Sequence, residues 1–326
     1  MSKTSIETAP GPLVRRAMSG PAMGARWSAV AFVPEETDTD ALAAALAAAV
    51  EAVEDAASNW RPGSAVERLN RTPIGEWTAL PPALVEILEA GLAIGTLSDG
   101  AFDIGVGDLV RAHGFGGGTR TPDAGRIAAL AGRPSFVPPQ TLQIDPVGRR
   151  ARRLAPLTVD LAGIAKGYGV DRMAAVMAAH GIASFLVGID GEMRAGAVKP
   201  DGRPWAIGRE RPDRDARALA DVIELTDAAV ATSGDYRHVH ESAGRTVSHT
   251  IDPRTGAPLR GDLAQVTVIA PTCMVADAWA TALMVAGMQA GLALARRHAL
   301  AAILVGRDGD SRSTLDPRPA PPHPPA

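Results

Sequence analysis

The chain has 326 residues, 46% of them hydrophobic and 21% charged, an ordinary balance for a globular protein of one large domain or two. A net charge of −3 supplies no basic field for nucleic acid, and the single cysteine, Cys273, excludes an intramolecular disulfide and a thiolate metal cluster. No apolar run approaches the ~18 residues that a transmembrane helix needs.

Residues 1–20 read as a flexible N-terminal arm. The twin Arg15-Arg16 is not followed by an apolar export segment. The chain as given therefore reads as cytoplasmic, with a periplasmic location expected if the amino terminus has been trimmed. WSAVAFV (27–33) alternates as a strand. Residues 40–57 predict a helix with Asp40 at its N-cap, and Pro82 to Leu97 a second, with proline in its first turn. GFGGGTRTPDAGR (114–126) reads as a flexible loop, and LQIDP and LTVDL as strands. IAKGYGVDRMAAVMAAHG (164–181) predicts a helix closing on Gly181. ASFLVGID and PWAIGRE follow as strands. VATSGDYRHVHE and RTVSHTID read as a hairpin pair around SAGR. AQVTVIA is a strand, 275–288 a buried helix, and AAILVGRDG the last strand. Residues 309–326 are Pro-rich and expected to be disordered, which leaves 21–308 as one domain. Helices alternate with strands, but several strands come as hairpins. The fold class is therefore α/β of the mixed α+β kind, a single large domain with mixed sheets flanked by helices, rather than a doubly wound parallel sheet. GFGGG lacks the strand-turn-helix frame of a dinucleotide fingerprint.

Chemistry concentrates in a few stretches. In TVDLAGIAKGYGVD (158–171) a strand ends at Asp160, and a small turn, Ala162-Gly163, leads into a helix. Such a turn lets a ligand approach the backbone, and a helix N-terminus offers N–H groups to phosphate. Lys166 falls in the first helical turn, where a cation opposes the helix dipole, unless an anionic ligand offsets it. The bland alternative is a solvated lysine beside a packing glycine. In VADAWATALM, Asp277 and Thr281 share one face of an otherwise apolar helix. A carboxylate there is paired, protonated or bound to metal, and a hydroxyl one turn away suits a hard cation such as Mg²⁺. The alternative is an acid favourable to the helix dipole.

TVSHTIDPRTG places His249 at a strand end, with Asp252 close enough in sequence to orient its ring. The residue fits either a capped loop or a proton acceptor. His238 and His240 of RHVHE, with His249, also make a three-histidine zinc arrangement conceivable, though an alternating polar hairpin face explains the pair as well. LSDGAFDIGVGDLV (97–110) carries Asp99, Asp103 and Asp108, which bind a ligand or cap turns. GPAMGARWSAV (20–30) is a glycine turn opening a strand. SNWRPGSAVERLN (58–70) holds Trp60 in a loop, as a stacking platform or as packing. Cys273 reads as an inert small hydrophobe.

In this order, these segments resemble the FAD:protein FMN transferase (ApbE) family. The shared pattern runs from Met-Gly, through aromatic-R-P and R-L-N, G-A-F-D, D-L-x-G-I-A-K-G-Y-x-V-D and S-G-D-Y, to S-H-x-I-D-P-x-T-G and A-D-A-x-A-T. It spans roughly residues 18–306. The resemblance implies a T-fold-like ApbE architecture and a Mg²⁺-dependent enzyme with FAD as its substrate. Such an enzyme transfers FMN to a threonine or serine hydroxyl of an acceptor flavoprotein and releases AMP. It implies Asp277 and Thr281 as side-chain metal ligands, completed by the backbone of Gly163 and Ala280. It places Met23, Trp60, Ala101, Phe102, Asp103, Asp160, Lys166 and Ile251 at the FAD, with Trp60 on the flavin. His249 becomes the base for the acceptor hydroxyl. The chain departs from the usual pattern at Ala25, at Ile104-Gly105, and at Asp190-Gly191-Glu192, where a double glycine before an acid is usual. FAD pyrophosphatase activity, a non-catalytic flavin-binding protein and a zinc hydrolase built on RHVHE stand as alternatives.

Overall fold

Along the strand Ala25–Pro34, Trp27, Ala29, Ala31 and Val33 are buried on one face, while Ser28 is exposed on the other. This period of two fixes which side of a sheet meets the core. The computed structural model describes residues 12–116, 121–130, 140–212, 218–234, 239–242, 245–248 and 250–315. It places this strand second in an eight-stranded sheet. The order across the sheet is Leu13–Ala22, Ala25–Pro34, Phe185–Ile189, Glu192–Ala195, Ala229–Gly234, Leu263–Ala270, Ala301–Gly306 and Ser311–Ser313. Every neighbouring pair is antiparallel.

Helices Thr39–Ala57, Ala165–Ala179, Cys273–Ala286 and Met288–Arg297 cover one face, and Pro82–Leu97 packs outside them. On the other face a hairpin, Trp205–Glu210 with Leu219–Leu225, buries Trp205, Ile223 and Leu225 against Phe32, Leu186 and Ile269. This is the α+β class that the hairpin-rich pattern predicts, with helices gathered on one face. Among the described residues no helix is long and apolar enough to cross a membrane.

Some elements differ from the sequence reading. The expected arm is largely a strand: Leu13–Ala22 pairs along its full length with Ala25–Pro34. The connection is the two-residue turn Met23-Gly24, whose φ angles of 48° and 76° are both positive, as a type I′ hairpin needs. Two arginines, a glycine and a proline hide this edge strand in the sequence. The first helix begins at Thr39, not at residue 40. Its cap is Asp38, whose carboxylate accepts from the N–H groups of Asp40 and Ala41. LTVDL is not a strand of any sheet. It makes one parallel bridge, Val106 with Thr158, and Asp160 donates its N–H to the Ile104 carbonyl at 2.8 Å. The Ala229–Gly234 strand joins the main sheet, while Val239–Ser242 and Arg245–Ser248 form their own hairpin. The helix expected over 275–288 is Cys273–Ala286; Gly287, at φ 82°, ends it. Ser311–Ser313 adds a last edge strand inside the segment expected to be disordered.

Candidate active site

The helix Ala165–Ala179 starts at Ile164 with no capping side chain of its own. Its orphan N–H groups need a partner from elsewhere. Asp277 supplies one: its Oδ2 accepts from the Gly167 N–H at 2.9 Å. The favour is returned by Asp171, four residues further along the same helix. Its two oxygens accept from the N–H groups of Cys273 and Met274, both at 2.9 Å, where the helix Cys273–Ala286 begins. Arg194 holds Asp171 in turn, at 2.6 Å. Each helix thus caps the other, which fixes Asp277 relative to the turn before Lys166. Gly167 makes the approach possible. A Cβ there would lie 2.4 Å from the Cys273 carbonyl oxygen and 2.8 Å from the Asp277 Cβ. Gly167→Ala is expected to force the helices apart and lower stability by about 1–3 kcal/mol, as overpacking does. Urea denaturation of the two proteins measures it, and an unchanged midpoint would contradict this packing.

Asp277 is 4% exposed. Burial first, and the Glu192 charge next, push its carboxyl up to about 7, against the pull of Lys166 and the Gly167 N–H. Lys166 donates to Glu192 Oε1 at 2.8 Å and stands 4.0 Å from Asp190 Oδ2. Burial pulls the Lys166 ammonium down, but Glu192, Asp277 and Asp190 outweigh it and hold the pKa above the ordinary value. Glu192 is pushed up by its own burial while Lys166 draws it the other way. Its second oxygen, Oε2, is buried with no hydrogen-bond partner. The sequence puzzle of a lysine in the first helical turn is therefore resolved by acids on neighbouring elements. Cys273 is buried, and burial with Asp171 and Asp277 nearby pushes its thiol well up, so it stays protonated and inert.

Thr281 lies one turn beyond Asp277, with its hydroxyl 3.3 Å from that of Ser233. A Cβ on Gly163 would come within 3.1 Å of the Thr281 oxygen and 3.2 Å of the Phe102 ring. Glycine there lets the Thr281 side chain and the Phe102 ring pack close against the turn. Among the described residues no group of three or more His, Cys, Asp or Glu can hold a metal. One carboxylate, one hydroxyl and backbone carbonyls make a hard, all-oxygen donor set. It fits Mg²⁺, which takes few protein ligands and completes its shell with water and substrate phosphate.

A cavity of about 620 Å³ opens over these groups. The strand Ala229–Gly234 pairs with Glu192–Ala195 only at Ala229 and Val230, so the ladder stops short and the cavity opens beside the remaining edge. Ala101, Phe102, Asp103, Asp160, Gly163, Lys166, Ile251, Asp277 and Thr281 all line it, which brings together most of the residues singled out from the sequence. Asp160 accepts from the Ala162 N–H at 2.9 Å, and burial pushes its carboxyl up. Met23, Trp60 and Ala280 are not in the lining. Met23 forms the I′ turn and packs between the two helix-side core clusters, Trp60 is 61% exposed on its loop, and Ala280 is fully buried. His249 and His238 lie outside the described residues. Asp252, expected to orient His249, gives both carboxylate oxygens to Arg254 at 3.0 Å. The sequence reading missed the opposite wall. Thr232 and Thr267 share a hydrogen bond at 2.9 Å, and Arg209 of the outer hairpin bonds the buried Gln265 at 3.0 Å. Only the sheet register brings these polar side chains together, so no local signal in the sequence marks them.

Residues 23–304 match the ApbE family. The chain is 34% identical to a FAD:protein FMN transferase of Klebsiella pneumoniae over 91% of this chain and 86% of that one. It is 31% identical to one of Escherichia coli K12, with the same coverage. The fold superposes on the flavin transferase ApbE of Vibrio cholerae with a TM-score of 0.81 at 33% identity, over 93% of this chain and 97% of that one. For the apo form of the Pseudomonas stutzeri flavinyl transferase ApbE the TM-score is 0.82 at 37% identity, over 94% and 96%.

Proposed function

The chain belongs to the ApbE family, and on that premise we propose that it transfers the FMN half of FAD to a threonine or serine hydroxyl of an acceptor flavoprotein. The hydroxyl oxygen forms a bond to the FMN phosphorus as the P–O bond to the AMP half breaks. AMP leaves, and the hydroxyl proton passes to His249. The observation that carries this reading is the cavity floor, where the buried Asp277 faces Thr281 and Gly163 beside a lysine held by two acids.

Asp277 and Thr281 would hold Mg²⁺ with their side chains, joined by the backbone of Gly163, while Ala280 lies outside the cavity lining. Held there, Mg²⁺ would supply charge neutralisation to the diphosphate. Lys166 brings a fixed cation to the same place, and Glu192 keeps its long side chain from swinging away. Phe102 and Ile251 give apolar walls to the flavin-bearing substrate. Trp60 is exposed on its loop, outside the cavity lining, and its ring is assigned to the flavin by the family resemblance.

FAD is expected to bind in preference to NADH, because the diphosphate cradle and ring platform are matched here to a flavin. Titration followed by flavin fluorescence should show quenching by FAD, with competition by NADH only at much higher concentration. Tighter binding of NADH would contradict the proposal.

A further inference from the structure

The stretch SNWRPGSAVERLN has a second use that its tryptophan conceals. Ser64 caps the helix Ala65–Arg71 by accepting from the Glu67 N–H. The spacing is that of a capping box, in which the Glu67 side chain would return to the helix start. Instead the Glu67 carboxylate is buried, and its Oε1 accepts from Asn59 Nδ2 at 3.1 Å, Asn70 Nδ2 at 3.2 Å and Arg111 Nη2 at 2.5 Å. Both asparagines then reach about 90–100 residues along the chain to one short segment. Asn59 and Asn70 both donate to the Val159 carbonyl, at 2.8 and 2.9 Å. Asn70 Oδ1 accepts from the Val159 N–H at 2.7 Å, and Asn59 Oδ1 from the Leu161 N–H at 3.0 Å. These groups belong to residues on either side of Asp160. On its other side the segment is held by the Val106–Thr158 bridge and by the bond from Asp160 N–H to the Ile104 carbonyl.

A strand in a sheet would have its backbone fixed by ladder partners. This segment has two such bonds, both on one side, from the Gly107 N–H to the Thr158 carbonyl and from the Asp160 N–H to the Ile104 carbonyl, yet it must present Asp160 to the cavity. Side-chain amides pair well with a lone backbone segment, since each carries a donor and an acceptor. We propose that Asn59 and Asn70, anchored on Glu67, are positioning residues that clamp the backbone of residues 159–161 and so set Asp160 at the FAD site. This rests on the reading of the cavity as the FAD site. The amides touch no cavity surface and act only through the segment they hold. Arg111 balances the Glu67 charge, and its pull on Asp160 ties the same network to the site electrostatically.

The test is a double-mutant cycle with Asn70→Ala, Asp160→Ala and the double variant. It is read both on kcat/KM for transfer and on the FAD dissociation constant, with melting temperatures alongside. Asn70→Ala is expected to lose up to about 10²-fold in kcat/KM, the scale of a misplacement near 1 Å. The double variant should be no worse than Asp160→Ala alone, because the clamp works through Asp160. Glu67→Gln keeps an accepting Oε1 for the two amides but loses the charge that balances Arg111, so it should fall between wild type and Glu67→Ala. Additive losses in the cycle, or losses that follow melting temperature alone, would overturn the proposal. Asn59→Ala runs the same cycle from the other arm if Asn70→Ala does not fold. A wild type that transfers no FMN, yet shows coupled losses in FAD binding, counts against the transferase reading and for the clamp.

Discussion

Asp277→Ala is expected to abolish transfer, by roughly 10³-fold or more, since several kcal/mol of charge stabilisation on the diphosphate goes with it. The protein should stay folded. The substitution removes one cap on the Gly167 N–H, worth about 1 kcal/mol, but also removes a carboxylate that burial opposes. Asp277→Asn separates the two duties. Its amide oxygen can still accept from Gly167, so the helix start is kept, while the charge that attracts a cation is gone. Mg²⁺ with FAD is expected to raise the melting temperature of the wild type, and both variants should lose that rise. Full transfer by Asp277→Ala in EDTA-treated buffer would remove the metal role from this residue.

His249→Ala is expected to lose transfer by roughly 10²–10⁴-fold, the usual span for a positioned general base. Imidazole is near neutral at working pH by type, which suits removal of a hydroxyl proton. The residues that follow it, Thr250 and Ile251, line the cavity that holds Asp277. Asp252 accepts from Arg254 through both carboxylate oxygens. FAD affinity should change little, because the base meets the incoming hydroxyl. The rival view, that His249 holds flavin or loop, expects weak FAD binding with transfer restored at saturating FAD. Measuring the FAD dissociation constant and the saturated rate for this one variant separates the two.

The floor of the site was readable because its chemistry is local. Asp277 and Thr281 are four residues apart on one apolar helix, and the Gly163 turn sits directly before Lys166, so spacing alone groups them. What the residues could not announce is how the two groups meet. The reciprocal caps, Asp277 on Gly167 and Asp171 on Cys273, join residues about 100 positions apart. Glu192 stood out in the sequence only as a departure from a family pattern; its pairing with Lys166 needs the turn after Phe185–Ile189 to fold over the helix. Leu13–Ala22 was hidden because an edge strand tolerates arginine, glycine and proline that a central strand would not. LTVDL misled in the opposite sense. Its apolar alternation is that of a strand, yet on one side its backbone bonds go to asparagine side chains in place of a ladder.

The most direct test of the account is the intact mass of an acceptor flavoprotein after incubation with this protein, FAD and Mg²⁺, with AMP measured in parallel. A gain of one FMN per acceptor is expected, located on a threonine or serine, with one AMP for each FMN transferred. Release of FMN and AMP at the same rate with or without acceptor, while the acceptor mass stays unchanged, would contradict it and identify a pyrophosphatase.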